Sequence, residues 1–161
     1  MPAGLFAFAL VVRVLAIGLT QFDGLYGQDA FAYYDYAREL WQRVHVLQAP
    51  APFWWPLGYP ALVALAFSLG GFTPLAAQLV SVLSGALVAP LVFWWVRELA
   101  PTPTLPRRTG EGVGAAVAGV AAALSGELLQ LSVSVMADAS ALMWALFSVL
   151  ALLRYARDRR A

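Results

Sequence analysis

The sequence predicts an all-α, polytopic membrane helix bundle of about four transmembrane helices, with an external loop that carries two shorter interfacial helices. Three observations carry this. Hydrophobic residues make up 61% of the chain and charged ones only 12%, too apolar for a soluble domain of 161 residues. Uncharged runs long enough for a hydrocarbon core of about 30 Å recur along it. The arginines gather at some ends of those runs and avoid others. Membrane lipid is therefore the expected surrounding. The net charge of +1 argues against nucleic acid as a partner, and the absence of cysteine excludes disulfides and thiolate chemistry.

The elements follow in order. Leu5–Leu19, uncharged except at Arg13, places the first span over 4–20. Its start, MPAGLFAFAL, has no basic n-region and no small-x-small site after it, so it reads as a retained span rather than a signal peptide. Residues 21–74 form the external loop. Within it Tyr33, Tyr36, Leu40, Val44 and Leu47 fall on one helical face, with Asp35, Arg38, Glu39, Gln42 and Arg43 on the other. That pattern, with Glu39 four residues before Arg43, predicts an interfacial helix over 30–46. The prolines of APAPFWWPLGYP, residues 49–60, forbid a continuous helix there. Trp54, Trp55 and Tyr59 suit the headgroup region as anchors, a sugar-stacking platform being the alternative. Tyr59–Leu69 predicts a second loop helix, which at about 16 Å is too short to cross.

Leu75–Val96 gives the second span, over 75–98. Ala100–Gly112, rich in Pro, Gly and Thr, reads as a flexible connector. Val113–Gly126, continued past Glu127, gives a third span over 113–135. Ala139–Leu153, ended by Arg154, gives a fourth over 138–156. If 59–69 does not cross, Arg97, Arg107, Arg108, Arg154, Arg157, Arg159 and Arg160 share the cytoplasmic side, and only Arg38 and Arg43 lie outside. The positive-inside rule favours this arrangement, with both termini cytoplasmic. No internal repeat is present, and the chain reads as a single membrane domain, 1–161.

Several residues carry chemistry. Asp29 opens an acidic, tyrosine-rich stretch, GQDAFAYYDYAREL, directly after the first span. A carboxylate there is either a helix cap or a general base, and one residue can serve both ends. Asp138 begins the last span, as a first-turn anion or as a second acidic group of the same site. Glu127 interrupts an apolar segment, and with Ser134 and Asp138 it would fall on one face of a continuous helix. Arg13 is mid-span, at a cost of about 2.5–3.5 kcal/mol on insertion scales, so it is expected to face the bundle and pair with Glu127. Asp23 and Asp35 read as solvated charges and His45 as a surface group. No His, Cys or carboxylate cluster has metal-ligand spacing.

QDAFAYYDYAREL, PLGYPALVAL, the WWVREL end of the second span and SVSVMADASALMWALFSVLALLRYARDR stand in an order that resembles the GT-C superfamily of membrane glycosyltransferases. The nearest likeness is to the protein mannosyltransferase and lipid-A aminoarabinose transferase type. Asp29, Tyr33 and Ala37 match that family's first-loop pattern. The resemblance implies transfer of a sugar from a polyprenyl-phosphate donor on the external face of a bacterial plasma (inner) membrane, with inversion at the anomeric carbon. It makes Asp29 and Asp138 the expected catalytic residues and Tyr33 and Glu127 the expected substrate-binding ones. A divalent metal is a further possibility of the family. Ala30 stands where many members have a second acidic residue, and Ser125-Gly126 where a proline is common. Members are far longer, and this chain resembles their N-terminal part. The only external cations are Arg38, Arg43 and His45, so the phosphate clamp is expected in a missing C-terminal portion or a partner subunit. The alternative is a non-catalytic assembly subunit, or a degenerate relative, that keeps the fold.

Overall fold

The computed structural model describes residues 1–99 and 111–159, and every regular element among them is a helix. In chain order these are α1 (Pro2–Thr20), α2 (Gly27–His45), α3 (Gly58–Gly70), α4 (Pro74–Leu99), α5 (Glu111–Leu124), α6 (Gly126–Val133) and α7 (Asp138–Asp158). The expected connector up to residue 110, with Arg107 and Arg108, lies outside the described residues, as does Arg160. α1, α4 and α7 are each long and apolar enough to cross a membrane, and the α5–α6 pair is a fourth candidate if it counts as one bent span. α3 is apolar but has 13 residues, a rise of only about 20 Å.

α4 is the centre of the bundle and touches α1, α3, α5, α6 and α7. Thr73 starts it, its Oγ1 accepting from the Ala76 amide at 3.2 Å, with Pro74 in the first position, where a missing N–H costs nothing. Ala77, Ser81, Gly85 and Ala89 recur every fourth residue along α4, and all are buried. Ala115, Gly119 and Ala123 form a matching stripe on α5, and Leu5, Ala9 and Arg13 one on α1. Small side chains at this spacing let helix axes approach closely, which suits apolar helices that gain little from burying one another. A methyl group at Gly119 would lie 2.8 Å from Leu5 Cδ1 and 3.1 Å from the Ala89 carbonyl. One at Gly85 would overlap Ser132 Oγ and lie 3.1 Å from Arg13 Nε.

The two ends of the bundle differ. At one end Glu98 of α4 accepts from Arg154 Nε at 3.2 Å and Arg157 Nη1 at 2.9 Å, both on α7. Arg97 and Arg154 each lie 5.1 Å from the Trp94 ring. The opposite end holds the start of α4, the end of α1, the start of α7, and both α2 and α3. There α2 and α3 pack together on Ala30, Tyr33, Ala37, Val63 and Phe67. Trp41 Nε1 donates to Ser68 Oγ at 2.9 Å, and Tyr34 Oη to the Phe72 carbonyl at 2.8 Å. The Glu39–Arg43 pair forms, at 2.7 Å.

Three expectations need correction. The third hydrophobic run is not one straight helix: it bends by 53° between α5 and α6. Ser125 takes φ −59 and ψ 120 and leaves the helical ladder, and glycine follows it. The bend swings Ser132 of α6 onto Gly85, and it leaves Glu127 exposed. The Arg13–Glu127 pair therefore does not form. Arg13 is fully buried and faces the bundle, but Nη1 donates to the Ala9 carbonyl one turn back on its own helix at 2.9 Å. Its Nε and Nη2 have no partner among the described residues. Glu127, Ser134 and Asp138 do not share a helical face either, because residues 134–137 separate α6 from α7. On the apolar face expected for α2, Tyr33 and Tyr36 are buried, whereas Val44 and Leu47 lie beyond the contact with α3 and are exposed.

The close contact at Gly85 gives a test. Gly85→Ala should destabilise the bundle by about 1–3 kcal/mol, since neither Ser132 nor the α6 backbone behind it can retreat freely. Gly18→Ala, with nothing within 4 Å of the added carbon, should leave the melting temperature in detergent unchanged or raise it. Equal melting temperatures for wild type and Gly85→Ala would refute the packing described.

Candidate functional site

The site forms where three chain segments are tied to one face of α4. Gln78, buried to 1% exposure, donates through Nε2 to the Phe22 carbonyl at 3.1 Å and to the Val133 carbonyl at 2.6 Å. The segment after α1 and the end of α6 are thus held by one amide. The Val135 amide donates to the Gly24 carbonyl at 2.8 Å, closing the same junction. Gly24 has φ +86, and an added carbon would lie 3.1 Å from the Gln78 side chain, the Val133 carbonyl and Val135 Cγ2, so glycine suits it twice over. One turn along α4, Ser81 Oγ donates to the Met136 carbonyl at 3.1 Å. Further on, Ser84 and Ser140 pair at 2.9 Å. These bonds set the start of α7 against the start of α4.

The two candidate carboxylates come to this end as a result. Asp29 is in the first turn of α2, where it favours the helix dipole. It is not the cap: Tyr26 is the N-cap residue and makes no side-chain capping bond. Asp138 is the first residue of α7, and both carboxylates are exposed. Tyr33, one turn after Asp29 on α2, is buried, with 8% exposure. Burial raises its hydroxyl above the ordinary tyrosine value, and the charges of Asp138 and then Asp29 raise it further. One phenol thus feels both carboxylates. Tyr59 lies beside it, ring centroids 5.2 Å apart and nearly perpendicular. Its hydroxyl is also raised well above the ordinary value, chiefly by burial. Since Ser81 spends its proton on Met136, Tyr59 is the donor in their 2.7 Å bond.

A groove of about 480 Å³ runs away from this end between α3 and α7, lined by Pro56, Gly58, Tyr59, Leu62, Ala137, Ser140, Ala141 and Trp144. It is polar at Tyr59 and Ser140 and apolar along Leu62, Ala141 and Trp144. Glu127 takes no part in this arrangement. It is exposed at the start of α6, next to Gly126, which lines a separate groove shared with Thr20, Asp23 and Gln130. Among the described residues no group of three or more His, Cys, Asp or Glu side chains could hold a metal ion.

Sequence reasoning missed the polar residues of α4. Gln78, Ser81 and Ser84 sit at spacings of three, the signal of one helical face, but within a run read only for its hydrophobicity. It also treated Trp54 and Trp55 alike. Phe53 stacks on Tyr36 at 4.0 Å and Trp55 packs 5.4 Å from Tyr33, while Trp54 is 95% exposed.

The buried phenols predict a pH dependence. Their protonated forms are favoured by folding, so this contribution is intact below the unfolded tyrosine pKa. It is lost as pH climbs past about 10. Stability measured by thermal melting should fall above that pH, and Tyr59→Phe should flatten the fall. An unchanged slope in Tyr59→Phe would contradict the buried, neutral phenol.

No family model, curated protein or solved structure matches the chain.

Proposed function

We propose that the chain is a membrane glycosyltransferase, or the N-terminal module of one, that transfers a sugar from a polyprenyl-phosphate donor to an acceptor on the external face of the plasma membrane. The observation that carries this reading is that Asp29 and Asp138, exposed in the first turns of α2 and α7, belong to the end of the bundle where both their charges act on the Tyr33 hydroxyl. That end lacks the arginines of the opposite one, where Arg97, Arg154, Arg157 and Arg159 collect on α4 and α7. By the positive-inside rule the arginine-rich end is cytoplasmic and the carboxylate end external. α1, α4, the α5–α6 pair and α7 are then the crossing helices. Residues 21–74 form the external loop, with α2 and α3 at the outer interface. The resemblance to GT-C enzymes supports the same orientation.

The chemistry suits the groups present. Asp29 accepts the proton of the acceptor hydroxyl as its oxygen attacks the anomeric carbon. The bond from that carbon to the phosphate oxygen breaks, and the lipid phosphate leaves with the electron pair. Attack opposite the leaving group inverts the anomeric centre. Asp138 binds donor or acceptor hydroxyls and keeps the sugar oriented, while Tyr33 stays protonated as a hydrogen-bond donor. The groove between α3 and α7 is mainly apolar along Leu62, Ala141 and Trp144, which suits the lipid portion of a lipid-linked sugar. The leaving phosphate needs a cation. Among the described residues, Arg38 and Arg43 on α2 are the arginines of this end, exposed and half-exposed, whereas Arg13 is enclosed in the bundle.

Asp29→Asn tests the reading. In the assembled enzyme, reconstituted with a polyprenyl-phosphate sugar, it should lower turnover by roughly 10² to 10⁴, the usual worth of general-base catalysis. Its melting temperature should stay near wild type, since Asp29 is exposed and caps nothing. Full transfer activity in Asp29→Asn would remove the base and the mechanism with it.

A further inference from the structure

Trp54 and Trp55 are neighbours in sequence but different objects in the fold. Trp54 is 95% exposed and makes no ring contact among the described residues. Trp55 is fixed by two rings, with Tyr33 at 5.4 Å and 39° and Phe53 edge-on at 5.3 Å and 75°. Yet 38% of Trp55 stays exposed. A lipid anchor needs an aromatic ring at the interface and no particular orientation, which describes Trp54. An oriented, half-open indole has a different use. Tyr33, against which Trp55 rests, lies in the field of Asp29 and Asp138, and Pro56, the next residue, lines the groove with Ala137 and Ser140.

We propose that Trp55 is the platform on which the pyranose ring of the lipid-linked donor stacks; this rests on the glycosyl-transfer reading above. A pyranose shows C–H groups on one face and hydroxyls around its rim. The C–H hydrogens carry partial positive charge and are drawn to the negative face of an indole. The rim hydroxyls need acceptors, and ionised carboxylates accept only. Trp55 supplies the first and Asp29 with Asp138 the second. Because Tyr33 and Phe53 already hold the indole, little side-chain freedom is lost on binding. The lipid portion then continues from Pro56 into the apolar part of the groove, along Leu62 and Trp144.

The test uses the full chain in lipid nanodiscs and two probes, farnesyl phosphate and a farnesyl-phosphate hexose. Wild type should bind the hexose probe more tightly than the sugar-free one. Trp55→Leu keeps apolar bulk but has no π face. It should lose roughly tenfold in affinity for the hexose probe and leave farnesyl phosphate binding unchanged. Trp55→Phe should stay within about threefold of wild type, and Trp54→Leu should match it. If Trp55→Leu does not fold, Trp55→Met carries the same comparison. Equal hexose-probe affinity in wild type and Trp55→Leu overturns the platform while leaving the lipid-phosphate reading standing. Failure of wild type to bind either probe overturns both.

Discussion

Gln78 is the residue on which the arrangement most depends. A single buried amide on α4 holds the Phe22 carbonyl after α1 and the Val133 carbonyl at the end of α6. Both are backbone groups at chain breaks, where no helix supplies a partner and burial without one would cost about 1–3 kcal/mol each. Ser81 does the same for the Met136 carbonyl just before α7. Because α4 is also the helix on which the other candidate spanning helices pack, these bonds turn a set of apolar rods into one with a defined end. The start of α7, with Asp138, is fixed at that end, which also carries α2 and Asp29.

The close packing around α4 also explains Arg13. Gly85 leaves room for Ser132 and for the Arg13 side chain in the same space. A carboxylate partner would need that space too, and the bend at Ser125 has carried Glu127 away from it. Among the described residues the guanidinium keeps one bond, to Ala9, and two nitrogens have no partner. Such a group is retained at a cost in stability, and the groups assigned chemistry here do not use it.

The hydrophobic runs made the long helices legible, since length and lack of charge are all that such a helix needs. The helical spacing of Tyr33 and Tyr36 and the short run at 59–69 located α2 and α3 to within a few residues. The break at Ser125 was hidden, because Ser-Gly is common both in straight apolar helices and at bends; only the packing of Ser132 on Gly85 distinguishes them. The pairing of Arg13 failed for the same reason, as it assumed a straight third span. The expectation that Asp29 and Asp138 belong to one end of the bundle followed from the order of the spans. The ring packing of Tyr33, Tyr59 and Trp55 did not. It depends on how a proline-rich loop folds back on α2, and periodicity says nothing about such a segment.

The central claim is that α4 brings Asp29 and Asp138 to one site on the external face. The chain has no cysteine, so single cysteines report sidedness without background. Asp29→Cys and Asp138→Cys should both react with a membrane-impermeant maleimide added to intact cells, and Arg157→Cys only after permeabilisation. Labelling of the first two from opposite sides, or of Arg157→Cys from outside, would contradict the account.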